Sequence, residues 1–536
     1  MKVKLFFLFI IFHFQFTISN VSFSQSFHRT YGRWGAETGT CVQSTLDGNY
    51  VISSYTTVLG LGYEDAYLLK VDTAGTLLWS KTYGGSLSDK AYFVSTCTDG
   101  GFILTGVTSS FGAGNYDLYL IRTDSNGNLL WSTAVGGSGN DYGWNVVQTN
   151  DGGFLAAGYS TSFSNANWDG YLVKTNSGGI LQWAKVFGGA QMDAFYGLAN
   201  TNDGGYILTG ASATHSAGSS DMWLLKLNSN GDTLWTKLYG RLTEDAGNAV
   251  IQTSDGGYMV VGDIHVSDTT GAHHAALLKT DSQGNMQWVN VYGSHPGSEI
   301  GYAVRQTPDE GYVLMGNTGA YGGGGNDMLL VKTNSSGGLM WSKTYGTTGD
   351  EDGWYFHKTP HEGNMIVAGT TSFGAGQYDV YLVNTDSLGN SFCHQTSPVP
   401  SVSSPLLQLS SGTIVISGGT ASTPNTVTNI PNTITTDPCA LVGIAENENK
   451  SYEVSIYPNP FSESAIIEVI GIQSSTIGFE FIMYDVFGRE AIRLPITDHR
   501  LLITRGSLAS GIYFYKLSSI EKITPIIIGT GKIVIE

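Results

Sequence analysis

The chain has few cysteines and few basic residues, and both shortages narrow what it can be. Its 536 residues include 4 cysteines, too few for a disulfide framework. Lys and Arg number 26 against 44 Asp and Glu, so the formal net charge is −18. A field of this sign repels phosphate backbones and anionic lipid. We therefore expect no nucleic-acid partner.

Long apolar runs are missing beyond the N-terminus. No later stretch is apolar for the length of a membrane span, which predicts no transmembrane segment. At the N-terminus, Lys2 and Lys4 precede the apolar run Leu5–Phe12, and small residues follow it. This layout is typical of a secretory signal peptide. We expect residues 1–25 to be a signal peptide and the remaining chain to be exported.

Glycine and aromatic residues are plentiful, and they repeat. The 71 glycines, 12% aromatic and 13% charged residues favour a turn-rich all-β protein. Tryptophan recurs every 52 or 53 residues, at Trp79, Trp131, Trp183, Trp235, Trp288 and Trp341. A period in this range is typical of propeller blades. Four period-2 apolar runs separated by Asp-Gly and Gly-Gly turns predict four strands, A to D, in each repeat.

The number of repeats follows from the turn between strands A and B. It is marked at Asp47, Asp99, Asp151, Asp203, Asp255, Asp309 and His361. We therefore predict a seven-bladed β-propeller over residues 26–396, a closed ring that protects strand edges. The segment "FHRTYG" at Phe27–Gly32 copies "WSKTYG" at Trp341–Gly346. This copy predicts that the N-terminal strand completes the last blade.

The loop "TDSNGNLLW" at 123–131 has the look of a ligand loop, but its copies predict a hairpin turn. Asp and Asn exchange freely at its first position. A side chain that hydrogen-bonds its own backbone needs only the oxygen, whereas a metal ligand or a general base needs the charge. The unit resembles bacterial β-propeller repeats of exported proteins, and this hairpin is also similar to that of quinoprotein-like propellers. We find no motif for a quinone cofactor.

A second series of acids lies just before strand A, on the loop that connects each repeat to the next, and there Asp exchanges only with Glu. Its members are Glu37, Asp89, Asp141, Asp193, Asp245, Glu299 and Glu351. If strand A is innermost, these carboxylates ring one mouth of the channel and are candidates to bind a cation such as calcium. The alternative is that each pairs with a neighbouring lysine or with backbone N–H groups.

A third series, Asp at the start of strand C, is replaced by His274 in repeat five. That repeat also has an extra residue in its B–C loop, and histidines cluster there. Imidazole with carboxylate suits zinc, so His265, His274 and His295 are candidate metal ligands. Because neighbouring residues of a strand point to opposite faces, His273 and His274 are not expected to enter one site together. The alternative is a loop whose histidines are solvated.

The cysteines divide into two pairs. Cys393 and Cys439 flank the Ser/Thr/Pro-rich stretch 397–451, a linker or a β-segment, and a bridge between them would close it as a loop. Cys41 and Cys97 sit four positions out of register in the repeats, about 13 Å along a strand. That separation is too long for a disulfide.

Residues 452–536 read as a small Ig-like β-sandwich, and they resemble the type A C-terminal sorting domain of the type IX secretion system of Bacteroidetes. The matching residues are Tyr457, Pro458, Asn459, Pro460, Phe461, Asp485, Gly488, Arg489, Gly511 and Tyr513, followed by the terminal "GKIVIE". The segment "ITPIII" at Ile523–Ile528 departs from the family pattern. The resemblance implies contact with the secretion machinery, passage across the outer membrane and display or release at the cell surface.

The sequence therefore predicts an exported, monomeric propeller that binds a glycan or a protein without catalysis. The alternative is a secreted polysaccharide-degrading enzyme, since a carboxylate pair suffices for glycoside hydrolysis. Such an enzyme needs acids that differ between repeats. The unrepeated acids beside the ring are Glu244, Asp350 and Asp352, and two of them in one pocket would favour the enzyme.

Overall fold

The structure is a computed structural model. It describes residues 26–163, 167–214, 216, 218–265, 272–294, 297–391, 393–410, 414–417, 420–422, 427–429, 434–436, 453–457, 459–470, 479–485, 489–496, 500–506, 508–519 and 527–535. The predicted signal peptide lies outside these residues. The chain forms two compact units, Met1–Cys439 and Ala440–Glu536.

Regular structure in the described residues is entirely β. The strands of the repeats are β1 (Phe27–Gly32), β2 (Glu37–Ser44), β3 (Tyr50–Thr56), β4 (Asp65–Val71), β5 (Leu77–Gly84), β6 (Asp89–Thr96), β7 (Phe102–Thr108), β8 (Asp117–Thr123), β9 (Leu129–Gly136), β10 (Asp141–Gln148), β11 (Phe154–Ser160), β12 (Asp169–Thr175), β13 (Leu181–Gly188), β14 (Asp193–Asn200), β15 (Tyr206–Ser212), β16 (Asp221–Leu227), β17 (Thr233–Gly240), β18 (Asp245–Gln252), β19 (Tyr258–His265), β20 (His273–Thr280), β21 (Met286–Gly293), β22 (Glu299–Gln306), β23 (Tyr312–Thr318), β24 (Asp327–Thr333), β25 (Leu339–Tyr345), β26 (Glu351–Lys358), β27 (Asn364–Thr370) and β28 (Asp379–Thr385).

The strands that follow the repeats are shorter at first and longer near the C-terminus. They are β29 (Gln395–Thr396), β30 (Ser401–Ser403), β31 (Gln408–Ser410), β32 (Ile414–Ser417), β33 (Thr420–Ser422), β34 (Val427–Asn429), β35 (Ile434–Thr436), β36 (Glu453–Tyr457), β37 (Ser464–Ile470), β38 (Phe479–Tyr484), β39 (Glu490–Ile496), β40 (Arg500–Thr504), β41 (Gly511–Ser519) and β42 (Ile527–Ile535). No helix in the described part of the chain is long and apolar enough to cross a membrane.

Each repeat forms one antiparallel sheet in the order A, B, C, D, as its alternation predicts. The sheet of repeat one runs β2-β3-β4-β5, and the sheet of repeat seven runs β26-β27-β28-β1. The pairing of β1 with β28 confirms that the N-terminal strand completes the last sheet. Strand A of each repeat contacts strand A of the next, and β26 contacts β2, so the series closes on itself. This arrangement is propeller-like.

The hairpin between strands C and D locks each repeat to its neighbour. Asp124 Oδ1 accepts hydrogen bonds from the backbone N–H groups of Asn126 and Asn128, both at 2.8 Å. Gly127 has a φ of +73°, and a Cβ there would lie 2.7 Å from the Trp79 ring. The loop is therefore a turn whose glycine packs against the tryptophan of the preceding repeat, which confirms the sequence interpretation.

A fifth strand lies on the outer edge of every one of these sheets in the described residues. These seven short strands, β29 to β35, come from the stretch after the repeats, and we call them the belt. In chain order they pair with β25, β21, β17, β13, β9, β5 and β1. The belt thus passes the sheets in reverse order, from repeat six down to repeat one and then to repeat seven. It covers the edge that strand D would otherwise expose.

The cysteines follow the predicted division. Cys41 and Cys97 are both buried and free. Cys393 is disulfide-bonded. Cys439, its expected partner, lies outside the described residues.

The second unit contains two antiparallel sheets in its described residues, β36-β37-β40 and β39-β38-β41-β42. Its core takes side chains from both sheets, among them Ile467, Ile503, Phe481 and Leu517. The alternation of apolar and polar residues that the sequence shows here places these side chains inside.

Candidate functional site

A β-bulge occurs at the same place in strand A of all seven repeats. In repeat three the register of β10 against β11 shifts between Gly143 and Asn145, so Trp144 has no partner residue in the pairing. A bulge re-aims the side chain of its extra residue and commonly lies next to a functional site. The bulge residues are Thr40, Tyr92, Trp144, Tyr196, Asn248, Tyr302 and Trp354.

All seven bulge residues line one cavity, which we call the central cavity. Its volume is about 430 Å³, and its lining includes residues of strand A from every repeat. The remaining lining residues are Thr38, Tyr55, Phe93, Asn145, Ala249 and Tyr355. A volume in this range suits a small organic ligand or a short oligomer.

Aromatic rings form most of the wall. Tyr92 and Trp144 stack with centroids 4.6 Å apart at 14°, and Tyr196 meets Trp144 edge-on at 6.2 Å. Across the cavity, Tyr302 and Trp354 are 5.0 Å apart. The bulge residue is aromatic in every repeat except repeats one and five, where it is Thr40 and Asn248. The wall therefore offers flat apolar faces with two polar gaps.

Three buried polar atoms of this wall make no hydrogen bond to any described residue. They are Trp144 Nε1, Trp354 Nε1 and Asn145 Oδ1. Asn145 is only 8% exposed. An unpaired buried donor or acceptor costs on the order of 1–3 kcal/mol, which a ligand's hydrogen bond offsets. The residues of the cavity wall thus carry two donors and one acceptor that have no partner among the described residues.

A smaller cavity of about 230 Å³ adjoins the central one, and we call it the side cavity. Tyr196 lines both. In the side cavity the imidazole Nδ1–H of His273 donates to Asp263 Oδ2 at 2.7 Å. This hydrogen bond raises the pKa of His273. No other repeat has an acid at the position of Asp263; the matching residues there include Tyr55 and Tyr159.

The seven acids predicted to ring one mouth of the channel each occupy the first residue of strand A. All seven are buried, with at most 1% exposure. Asp141 Oδ2 accepts from Gly137 N at 2.8 Å and from Ser162 Oγ at 2.6 Å. The described residues contain no group of three or more His, Cys, Asp or Glu placed to hold a metal ion. The described geometry matches the alternative, in which the acids accept hydrogen bonds from backbone N–H groups. Cation binding by these acids stays a prediction.

Of the candidate zinc ligands, His265 and His274 lie on neighbouring strands and on opposite faces of their sheet. His265 packs edge-on against His273, with centroids 5.1 Å apart. His274 points to the opposite face, where its Nε2 lies 3.9 Å from Glu299 Oε2. His295 lies outside the described residues. The neighbour of His265 is thus His273 and not His274, because β19 pairs His265 directly with His273.

Five of the strand A acids share a glycine with the strand C acid of the preceding repeat: Glu37, Asp89, Asp141, Asp193 and Glu351. A Cβ on Gly84, for example, would lie 2.3 Å from Asp65 Oδ1 and 2.7 Å from Asp89 Oδ2. Burial raises the pKa of Asp65 and Asp169 to about 6 and that of Asp245 to about 7, and the neighbouring carboxylate adds to each rise. In repeat five the pair is His274 with Glu299.

These buried acid pairs predict a stability that falls as the pH rises. Their folded pKa values lie above those of the unfolded chain, so between about pH 4 and pH 7 the folded protein binds more protons. The free energy of unfolding therefore decreases through that window. Carboxylates with a lowered pKa change the stability only below this pH window. Asp151 is an example, because hydrogen bonds from Thr149 and Lys174 outweigh burial and lower its pKa to about 2. Thermal melts should give a higher midpoint at about pH 5.5 than at about pH 8; the reverse order would contradict the assignment.

Of the unrepeated acids, Glu244 lines the side cavity, whereas Asp350 and Asp352 line neither of the two cavities. Asn326 donates to both, from its backbone N to Asp350 Oδ1 at 2.9 Å and from Nδ2 to Asp352 Oδ1 at 3.4 Å. No two of these three acids share a cavity, but Asp263, which the other repeats also lack, lines the side cavity together with Glu244.

Hydrogen bonds of the motif residue Asn459 connect the start of the second unit to its last described strand, β42. Asn459 Nδ2 donates to Lys532 O at 2.9 Å and accepts at Oδ1 from Val534 N at 2.8 Å. Phe461 is buried in the core beside them. The Tyr513 hydroxyl donates to Ala509 O at 3.0 Å, and Arg489 forms an ion pair with Asp485. Tyr457, Pro460 and Gly511 also lie in described segments, whereas Pro458 and Gly488 lie outside them.

This geometry joins the first motif to the C-terminal strand. Residues 455–535 match the secretion system C-terminal sorting domain. The sorting domain marks the protein for export by the type IX secretion machinery to the cell surface.

Two solved structures from B. thetaiotaomicron are similar to the chain at low scores. One is the extracellular domain of a putative one-component system, with 10% identity, a TM-score of 0.18, and coverage of 93% of this chain and 74% of that chain. The other is the extracellular domain of a putative hybrid two-component system, with 11% identity, a TM-score of 0.16, and coverage of 92% and 74%. No curated protein matches. TM-scores this low do not show a shared fold or a shared function.

The sorting domain gives a direct prediction for localisation. Deleting residues 452–536 should leave the protein in the periplasm, because the secretion machinery then lacks its recognition element. Cell fractionation with an antibody to the first unit would measure this. Surface display of the truncated chain at the level of the full-length protein would contradict the prediction.

Proposed function

We propose that the first unit is a seven-bladed β-propeller that binds a glycan outside the cell, and that the second is an Ig-like sandwich that directs its export. The observation that carries the proposal is the central cavity. Its aromatic rings supply faces for the C–H surfaces of sugar rings. Its unpaired indole N–H groups and the Asn145 carbonyl match sugar oxygens and hydroxyls. The export signal places such a cavity where polysaccharides are met.

Binding without catalysis fits the distribution of acids. The carboxylates of strands A and C are buried within the sheets and occupied by backbone and hydroxyl donors or by one another. A hydrolase needs two carboxyl groups facing one substrate in different environments. The central cavity has no Asp or Glu among its lining residues. Its chemistry is that of stacking and neutral hydrogen bonds.

A glycan array with the exported protein tests the proposal. We expect binding to a restricted set of glycans, and a loss of about 100-fold in affinity for Trp144→Ala with Trp354→Ala, since each stacked ring contributes about 1–2 kcal/mol. Trp34→Ala is the matched control, because Trp34 is 73% exposed and lines neither cavity. Unchanged binding by the double variant would contradict a role for the central cavity.

A further inference from the structure

The side cavity lies beside one of the two interruptions in the series of aromatic bulge residues. At repeat five the bulge residue is Asn248, whose amide Nδ2 donates to Gly301 O at 2.9 Å and lies 3.4 Å from Asp263 Oδ1. Asp263 is 8% exposed and lines the side cavity. The polar gap in the central wall therefore lies next to Asp263, and Tyr196 separates the two cavities by lining both.

The walls of the side cavity combine aromatic faces with negative charge. Trp168, 39% exposed, lines it and stacks on Tyr159 with centroids 4.7 Å apart at 15°. Glu244 lies on its lining with Asp263, and none of the lining residues is lysine or arginine. His273 is the one basic group on the lining, and it is held by Asp263. The buried acids Asp193 and Asp245 also belong to the lining, so four acids stand against one imidazole even when that imidazole is protonated.

Negative charge beside an aromatic face attracts organic cations, because the ring quadrupole and the carboxylate act in the same direction. We propose that the side cavity is a subsite for a positively charged amino group, and that the glycan bound in the central cavity contains amino sugars. This inference rests on the proposed glycan-binding function. The neutral ring of the sugar stacks in the central cavity, and its ammonium group lies between Trp168 and the carboxylates of Glu244 and Asp263.

Calorimetric titration of the exported protein with three oligosaccharides tests this subsite. The probes are hexamers of β-1,4-linked glucosamine, of N-acetylglucosamine and of glucose. The glucosamine hexamer should bind at least about tenfold more tightly than the other two, the range of a hydrogen bond to a charged group. Glu244→Gln and Asp263→Asn should each remove most of that preference and leave the affinity for the other two hexamers unchanged.

The substituted side chains, Gln and Asn, match the shapes of Glu and Asp. Because Glu244 is exposed, the Glu244→Gln protein keeps the interior of the fold intact. Asp350→Asn, which lies outside both cavities, should retain the full preference. Equal binding of the three hexamers by the wild type would overturn the amino-group subsite and leave glycan binding in the central cavity standing. If no hexamer binds at all, both the subsite and the proposed function for these sugars are overturned.

Discussion

The Cys393→Ser variant is expected to lose about 4 kcal/mol of unfolding free energy, the chain-entropy value for a loop of 45 residues between Cys393 and Cys439. The belt begins at the sheet of repeat six and ends at that of repeat seven, and these two sheets are neighbours. A bridge from Cys393 to Cys439, its expected partner, would close the belt into a loop and so hold the outer strands in place.

Guanidinium unfolding followed by tryptophan fluorescence would measure this loss. Reductant should lower the midpoint of the wild type to that of Cys393→Ser and should leave the variant unchanged, because Cys41 and Cys97 are already free. Equal midpoints for the wild type and the variant under oxidising conditions would contradict a stabilising loop. Limited proteolysis within residues 397–436 should also be faster in the variant.

The Gly136→Ala variant is expected to lose about 3 kcal/mol of unfolding free energy, at the upper end of overpacking costs. A Cβ at Gly136 would lie 1.9 Å from Asp117 Oδ1 and 2.4 Å from Asp141 Oδ2, both buried. The carboxylates would have to separate, and each would lose hydrogen bonds that it accepts inside the sheets.

Gly178→Ala is the matched control. The nearest atom to its added Cβ is Asn176 Oδ1 at 3.4 Å, so the change in unfolding free energy should stay within about 0.5 kcal/mol. Chemical denaturation of both variants would compare them. A Gly136→Ala protein as stable as Gly178→Ala would contradict the description of the glycine as a spacer between two buried acids.

The repeating part of the fold was predictable because its separate sequence signals all indicate the same strands and turns. Period-2 alternation and turn glycines recur in each repeat, the packing tryptophan recurs in six of the seven, and the copy of "WSKTYG" at Phe27–Gly32 indicated how the last sheet is completed. The belt was not predictable as a set of edge strands. Strands such as Ser401–Ser403 and Thr420–Ser422 are three residues long, and their Ser and Thr residues carry no apolar alternation.

The site was harder to predict than the fold. The sequence showed that Glu37 and its equivalents must carry an acid, but an acid required by buried hydrogen bonds looks the same as one required by a ligand. The sequence analysis missed the central cavity; the signal that could have revealed it is the variable, mostly aromatic position of strand A, as at Trp144 and Tyr196. Alternation alone does not reveal it, because a bulge breaks the register there and turns the side chain inward.

The claim that the central cavity binds a glycan is tested most directly by a crystal structure of the exported protein with the glycan that it binds most tightly on the array. The account predicts a sugar ring stacked on Trp144 or Trp354, with its hydroxyl groups hydrogen-bonded to Asn145 Oδ1 and to an indole Nε1. Sugar density at another surface, with water alone between the seven bulge residues, would contradict it.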